Sequence, residues 1–296
     1  MDIRKNKFIK IISLMSFIIA FSFISIFIYQ PVKKSSSYNR CPAPSLIITS
    51  DLHLSNPLGR WPENTRHFNN FLKYLSHLKH NISAIVTVGD IIDNFDGHAA
   101  GDENYWLSEI NLYKDMIKEF PQYRFYQSFG IGHDYGSISR LEMELGSSKR
   151  GSFFWEHITF IWFDINRASF PDESERYVNS MTEDEYQWLS SEIKKSKMAI
   201  LLFHIPIRTK ETWELGKWGT SANLTIDPRD SIYQIIRQNR DKIIAIFNGH
   251  IHSAVKSNYI GIPIYICPFM YRGSYCILTS ENGRLTIDQL FYNQNK

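Results

Sequence analysis

Cysteine is scarce in this sequence: 296 residues hold three, Cys41, Cys267 and Cys276. That excludes a small disulfide-held scaffold, and no CxxC pair is present to build a cysteine zinc site. A bias toward one charge is also lacking. The net charge is +3, so there is none of the strong basic excess that marks a nucleic-acid binder, and no nucleic-acid partner is expected. Neither a GxxxxGK[ST] phosphate loop nor a GxSxG serine elbow occurs. No internal repeat or low-complexity segment appears in the body of the chain.

Long apolar runs are absent with one exception. Arg4, Lys5, Lys7 and Lys10 precede Ile11 to Tyr29, nineteen residues without a charge. A helix of that length can span a bilayer. Residues 1–10 therefore read as a basic flank, 11–29 as a transmembrane signal-anchor, 30–44 as a polar linker, and 45–296 as the folded domain. A cleaved signal peptide is the alternative, with Ala20 and Ser22 near its site, but apolar residues run on past them. Basic residues flank both ends, and their balance slightly favours a cytoplasmic N-terminus. The reading is a single-pass membrane protein whose soluble domain is extracytoplasmic or lumenal. Cys267 and Cys276 fall in what reads as a strand pair. Buried thiols are the expectation, and a bridge in an oxidising compartment is the alternative. Sequons at Asn81 and Asn223 carry meaning only in a eukaryotic secretory host.

From Ser45 on, short apolar runs alternate with amphipathic stretches. Phe68, Phe71, Leu72 and Leu75 predict a helix near Asn64 to Lys79. A second helix is predicted near Asn104 to Glu119, and a third after Thr182, whose spacing to Glu185 is that of a capping box. The C-terminus reads as a strand meander. Alternating β and α elements with a β-rich tail suggest mixed sheets with helices outside.

Chemistry-bearing residues recur where the apolar runs stop: Asp51 and His53, Asp90 and Asp93, His133 and Asp134, His204, and His250 with His252. Five of the ten histidines lie at such ends. A lone strand-end histidine is more often a hydrogen-bonded loop residue than a ligand, but the joint pattern is harder to dismiss. Residues two apart on an extended chain point the same way, so Asp51 with His53, and His250 with His252, present paired heads. Mixed carboxylate and imidazole ligands suit Zn, Mn or Fe. Gly89, just before Asp90, leaves room for close backbone approach.

These motifs, "SDLHL" (Ser50 to Leu54), "GDIID" (Gly89 to Asp93), "GHD" (Gly132 to Asp134), "FHIP" (Phe203 to Pro206) and "GHIH" (Gly249 to His252), resemble those of calcineurin-like metallophosphoesterases. The resemblance spans Asp51 to His252. It implies an α/β fold, a four-layer α/β/β/α sandwich of two mixed sheets, with two transition-metal ions (Mn, Fe or Zn). By motif match, Asp51, His53 and His252 hold one ion, Asp90 bridges, and His204 with His250 hold the second. His133, oriented by Asp134, stabilises developing charge or protonates the leaving oxygen, and Asp93 supports from behind. A metal-bound hydroxide attacks phosphorus.

One position departs. The family has asparagine before the histidine of motif three, as a ligand of the second ion, and here that place is Gly132. The second ion is therefore expected to bind more weakly, with catalysis retained. The segment "FGIGHDYGS" (Phe129 to Ser137) has the wrong glycine spacing for a dinucleotide loop, and no clear amphipathic helix follows it at once.

Arg60 and Trp61 after motif one, and Lys210, Trp213, Lys217 and Trp218 after motif four, are candidate substrate walls. A solvated loop with packed tryptophans reads equally well for the second group. Two function classes stand: a membrane-anchored phosphomonoesterase or phosphodiesterase, and a catalytically reduced member that holds a phosphorylated ligand or partner.

Overall fold

In the computed structural model the described residues are 43–57, 61–78, 81–93, 103–130, 138–165, 180–216, 225–270 and 273–292. The apolar runs become strands. β1 (Pro44–Thr49), β2 (Asn81–Val88) and β3 (Arg124–Ser128) lie parallel in one sheet. β10 (Ser274–Glu281) joins antiparallel to β1, and β11 (Arg284–Phe291) closes that edge, giving the order β11-β10-β1-β2-β3. The other sheet runs β4-β5-β6-β7-β9-β8. Here β5 (Ile158–Phe163), β6 (Ala199–Leu202), β7 (Ile243–Asn248) and β9 (Ile262–Ile266) are parallel, while β4 (Arg150–Trp155) and β8 (Val255–Tyr259) pair antiparallel at the edges.

Strand alternation sorts side chains into three cores. Leu46, Ile48, Val86, Phe160, Ile200, Leu202 and Phe247 pack together from both sheets. Ile47 and Ile85 point the other way, onto helices α1 (Pro62–His77) and α2 (Glu103–Lys118). Ile161, Leu201 and Ile246 likewise face α4 (Glu183–Lys195) and α6 (Ser231–Gln238) on the far side of the second sheet. The two mixed sheets thus face each other, with helices on their outer faces.

Local chemistry explains the helix positions. Pro62 opens α1, Glu63 sits in its first turn, and Phe68, Phe71, Leu72 and Leu75 form its buried stripe. The predicted box at α4 is present: the Glu185 amide donates to Thr182 Oγ1 and the Thr182 amide to Glu185 Oε2.

Several expectations change. The C-terminal strands are not one meander: β8 and β9 form a hairpin in one sheet, β10 and β11 in the other. Polar Lys256 and Asn258 hide β8, because an edge strand exposes one face. A helix, α3 (Ile138–Leu145), does follow the Phe129 to Ser137 stretch, and Leu141 is its buried anchor. Part of the expected loop after motif four is helical, α5 (Lys210–Gly216). Cys267 and Cys276 are not thiols but a disulfide. They are not on paired strands either: Cys267 follows β9 and Cys276 lies on β10 of the opposite sheet. Sequence patterning identifies strands but not their partners, so this cross-sheet contact was illegible.

Residues from Pro42 on form one compact unit. The signal-anchor read at 11–29, Asn223 and Cys41 lie outside the described residues. Among the described residues no helix is long and apolar enough to cross a membrane.

Candidate metal centre

Parallel strands deliver their C-terminal ends to one edge, where open α/β sheets build sites. β1 leads to Asp51 and His53, β2 to Asp90, β6 to His204, and β7 to His250 and His252. Six predicted residues therefore converge from four strands of two sheets. One group, Asp51, His53, Asp90 and His252, has ligand atoms within 4.8 Å of one another. A second, Asp90, His204 and His250, meets the same limit, and Asp90 belongs to both.

The backbone is bent to do this. Asp51, His53, Asp90, His250 and His252 all have positive φ, between 44° and 72°. Such conformations cost roughly 1 kcal/mol or more per non-glycine residue, so five approach the lower end of a domain's net stability. Cross-links between strand ends hold them. The Asp51 amide donates to the Gly89 carbonyl, His53 to Asp90, and Leu54 to Ile91, at 2.9–3.1 Å. On the other sheet, the Gly249 amide donates to the His204 carbonyl, and Asn248 Nδ2 to the Phe203 carbonyl.

Three glycines leave the required space. A Cβ on Gly89 would stand 2.4 Å from His204 Nδ1, one on Gly249 2.7 Å from Asp51 Oδ2, and one on Gly130 2.2 Å from Asp90 Oδ1. Sequence reading assigned close approach to Gly89. Gly130 has no positive φ, and its place is set by contact with Asp90.

Side-chain geometry is specific. His204 Nδ1 lies 2.9 Å from the Val88 carbonyl, which turns Nε2 toward Asp90 Oδ2 at 3.0 Å. His53 Nε2 is 3.6 Å from the same oxygen and 3.1 Å from His252 Nε2. Asp51 Oδ2 accepts from Ser50 Oγ at 2.5 Å, and Oδ1 from the His250 amide at 2.8 Å. His252 Nε2 faces Asp51 Oδ1 at 3.4 Å. Asp93 is not in either group; it stands 3.9 Å from His53 Nδ1, on the far side of that ring. Ser50, the first residue of motif one, and Asn248, just before motif five, brace Asp51 and the His204 loop and were not singled out by sequence.

The donor set fits a cation. Two buried carboxylates and four imidazoles converge, with His53 and His252 nitrogens nose to nose. Neutral imidazoles so placed share a metal more readily than a proton. Burial by itself would lower the His204 pKa, but the Asp90 carboxylate, with Asp51 behind it, outweighs burial and raises it to about 10. A cation bound there displaces a proton.

Other predicted residues separate. Trp61 packs edge-on against His53 with ring centroids 5.2 Å apart. Trp213 is on α5 with the Arg208 guanidinium 4.3 Å over its ring. Arg60, Gly132, His133, Asp134, Lys217 and Trp218 lie outside the described residues.

A family model described as calcineurin-like phosphoesterase matches residues 44–254. No curated protein matches the chain. Among solved structures it is similar to a dimetal phosphatase from Danio rerio, at 12% identity and TM-score 0.60, covering 85% of this chain and 99% of that one. It is also similar to a putative 5'-nucleotidase from Staphylococcus aureus, at 11% identity and TM-score 0.53, covering 84% and 54%. A third is GAP50, the anchor in the inner membrane complex of Plasmodium, at 14% identity and TM-score 0.51, covering 87% and 86%. At such identities these likenesses show the fold alone.

Proposed function

The chain belongs to the calcineurin-like phosphoesterase family, and from that premise we propose that it is a membrane-tethered, metal-dependent hydrolase of phosphomonoesters or phosphodiesters. The observation that carries the reading is the pair of ligand groups sharing Asp90 at the strand ends. A two-metal phosphatase among the structurally similar proteins supports it. The tether rests on the uncharged run Ile11 to Tyr29, and it would hold the domain on the extracytoplasmic or lumenal side.

In this reading Asp51, His53, Asp90 and His252 would hold one ion, and Asp90, His204 and His250 the other. Two such ions would supply Lewis acidity and an activated water for an in-line displacement. Asp93 supports His53 from 3.9 Å behind Nδ1, beyond hydrogen-bond reach, while the Val88 carbonyl fixes the His204 ring through Nδ1. Trp61 shields the His53 edge from solvent. His133 balances charge on the phosphoryl group or protonates the leaving oxygen, and Asp134 fixes its tautomer. With glycine at 132 no side chain is added there to Asp90, His204 and His250, and the second site would bind its ion more weakly than the first. Mn, Fe and Zn all suit the donor set.

The test is metal content of the purified full chain, together with turnover of aryl phosphomonoesters and diesters under Mn, Zn or Fe. Two ions of unequal affinity and metal-dependent turnover are expected. No stoichiometric metal at neutral pH, with no turnover in excess metal, overturns the proposal.

A further inference from the structure

The Cys267–Cys276 disulfide, with Cα atoms 6.3 Å apart, crosses the core between the sheets. Its sulfurs are not near a surface: Cys267 is 2% exposed and Cys276 0%. What surrounds it belongs to the first ligand loop. The Cys267 carbonyl accepts from the Ser50 amide at 3.0 Å and from Thr49 Oγ1 at 3.2 Å. Farther along, the Phe269 amide donates to the Ser50 carbonyl at 2.7 Å, and the Met270 amide to the Asp51 carbonyl at 3.1 Å. Four hydrogen bonds thus bind Thr49–Ser50–Asp51 to a segment that begins at one half-cystine. The other half-cystine, Cys276, pairs with Ile48 on β1, and Thr49 Oγ1 also reaches the Ser274 carbonyl at 3.1 Å. Chain on both sides of the disulfide therefore grips the backbone that turns into Asp51, at positive φ.

We propose that the Cys267–Cys276 disulfide is a positioning device for Asp51, formed in an oxidising compartment, which holds the first ligand loop in its bent conformation. Formation joins the two sulfurs as two thiols lose two protons and two electrons to a disulfide carrier, which leaves as a dithiol. Burial then protects the bond from thiol reductants in the folded state. The inference about loop order is independent of the metal reading; only its affinity readout rests on that reading.

The experiment compares the full-length wild-type chain with a Cys267→Ala/Cys276→Ala double variant. Wild-type chain prepared with its thiols kept reduced gives the same comparison if the variant does not fold. Alkylation in denaturant should label one cysteine, Cys41, in protein from an oxidising compartment, and all three after reduction. Loss of the bond should raise amide exchange at Ser50, Phe269 and Met270 by about tenfold or more, with β6 (Ala199–Leu202) unchanged. Affinity for Mn or Zn should fall by about tenfold, the scale of changes just behind a ligand. Three labelled cysteines without reduction, or unchanged exchange at those amides, overturns the inference. So does unchanged affinity in a wild type that binds metal. Faster exchange beside a wild type that binds no metal supports the loop inference and overturns the metal reading instead.

Discussion

Asp90 and Asp230 are both buried carboxylates, at 0% and 3% exposure, yet their surroundings have opposite logic. Asp230 caps α6. Its Oδ1 accepts from the Ile232 amide and Tyr186 hydroxyl, its Oδ2 from the Ser180 amide and hydroxyl, all within 2.9 Å. Those four neutral donors satisfy the carboxylate oxygens without any cation. Asp90 instead presents Oδ2 to two imidazoles, His204 at 3.0 Å and His53 at 3.6 Å, beside a second buried carboxylate, Asp51. Burial of a charge says little about function. What matters is whether the neighbours are fixed N–H and O–H donors, or groups that become complementary only with a cation.

The largest expected effect breaks or keeps that contrast directly. Asp90→Asn should abolish tight binding at both ions and lower turnover well beyond the roughly 10–100-fold of changes behind a ligand. Stability of the metal-free chain should change less than activity, since relief of crowding with Asp51 offsets loss of the charge that faces His204. Metal titration, phosphoesterase assay and thermal melting check this. A melting temperature that falls while activity survives would make Asp90 structural, like Asp230.

Gly130→Ala sharpens the contrast from the backbone side. Its Cβ would stand 2.2 Å from Asp90 Oδ1 and 2.3 Å from the Asp90 amide nitrogen, so Asp90 must move. A shift of about an ångström at a reacting group costs roughly a hundredfold. The same change at Gly283 meets nothing within 4 Å. With φ of +75° there, Ala should cost about 1 kcal/mol of stability and no activity. Steady-state kinetics of the two variants separates them.

Asp230→Ala should do the reverse of Asp90→Asn. It strands the Tyr186 and Ser180 groups in the core, for a loss of roughly 2–4 kcal/mol in denaturant melts, while turnover per folded molecule is unchanged. A loss of turnover would show that α6 reaches the chemistry.

Much of this was legible because the candidate ligands sit at fixed places in simple patterns. Apolar runs that stop at Asp51, Asp90, His204 and His250 name both the strands and the edge where they end. The Thr182–Glu185 box and the Phe68–Leu75 stripe are equally local. The illegible parts are those decided by partners far along the chain. Nothing in "KSNY" says that β8 closes an edge, and nothing near Cys267 says that residue 276 comes from the opposite sheet. The bends at Asp51 and His53 were also hidden, since aspartate and histidine do not advertise positive φ as glycine does. The need for space at Gly130 was hidden too, because steric need and conformational freedom leave the same letter in a sequence.

Glu185 supplies the smallest effect and a third kind of buried carboxylate. It is 5% exposed, and burial alone would raise its pKa; the Lys149 ammonium and the Thr182 amide and hydroxyl outweigh that and leave it lowered. A carboxylate whose folded pKa is depressed contributes stability that is complete above its unfolded pKa and disappears as pH falls through the folded one. The contribution should therefore be intact at neutral pH and be lost below the ordinary glutamate value of 4.5. Glu185→Gln should flatten this acid limb in melts taken across that range, with a neutral-pH cost of about 1 kcal/mol for the weakened cap. Turnover should not change, because the charge partner is a fixed lysine rather than an exchangeable cation. An acid limb as steep as that of the wild type would show that Glu185 is not its source.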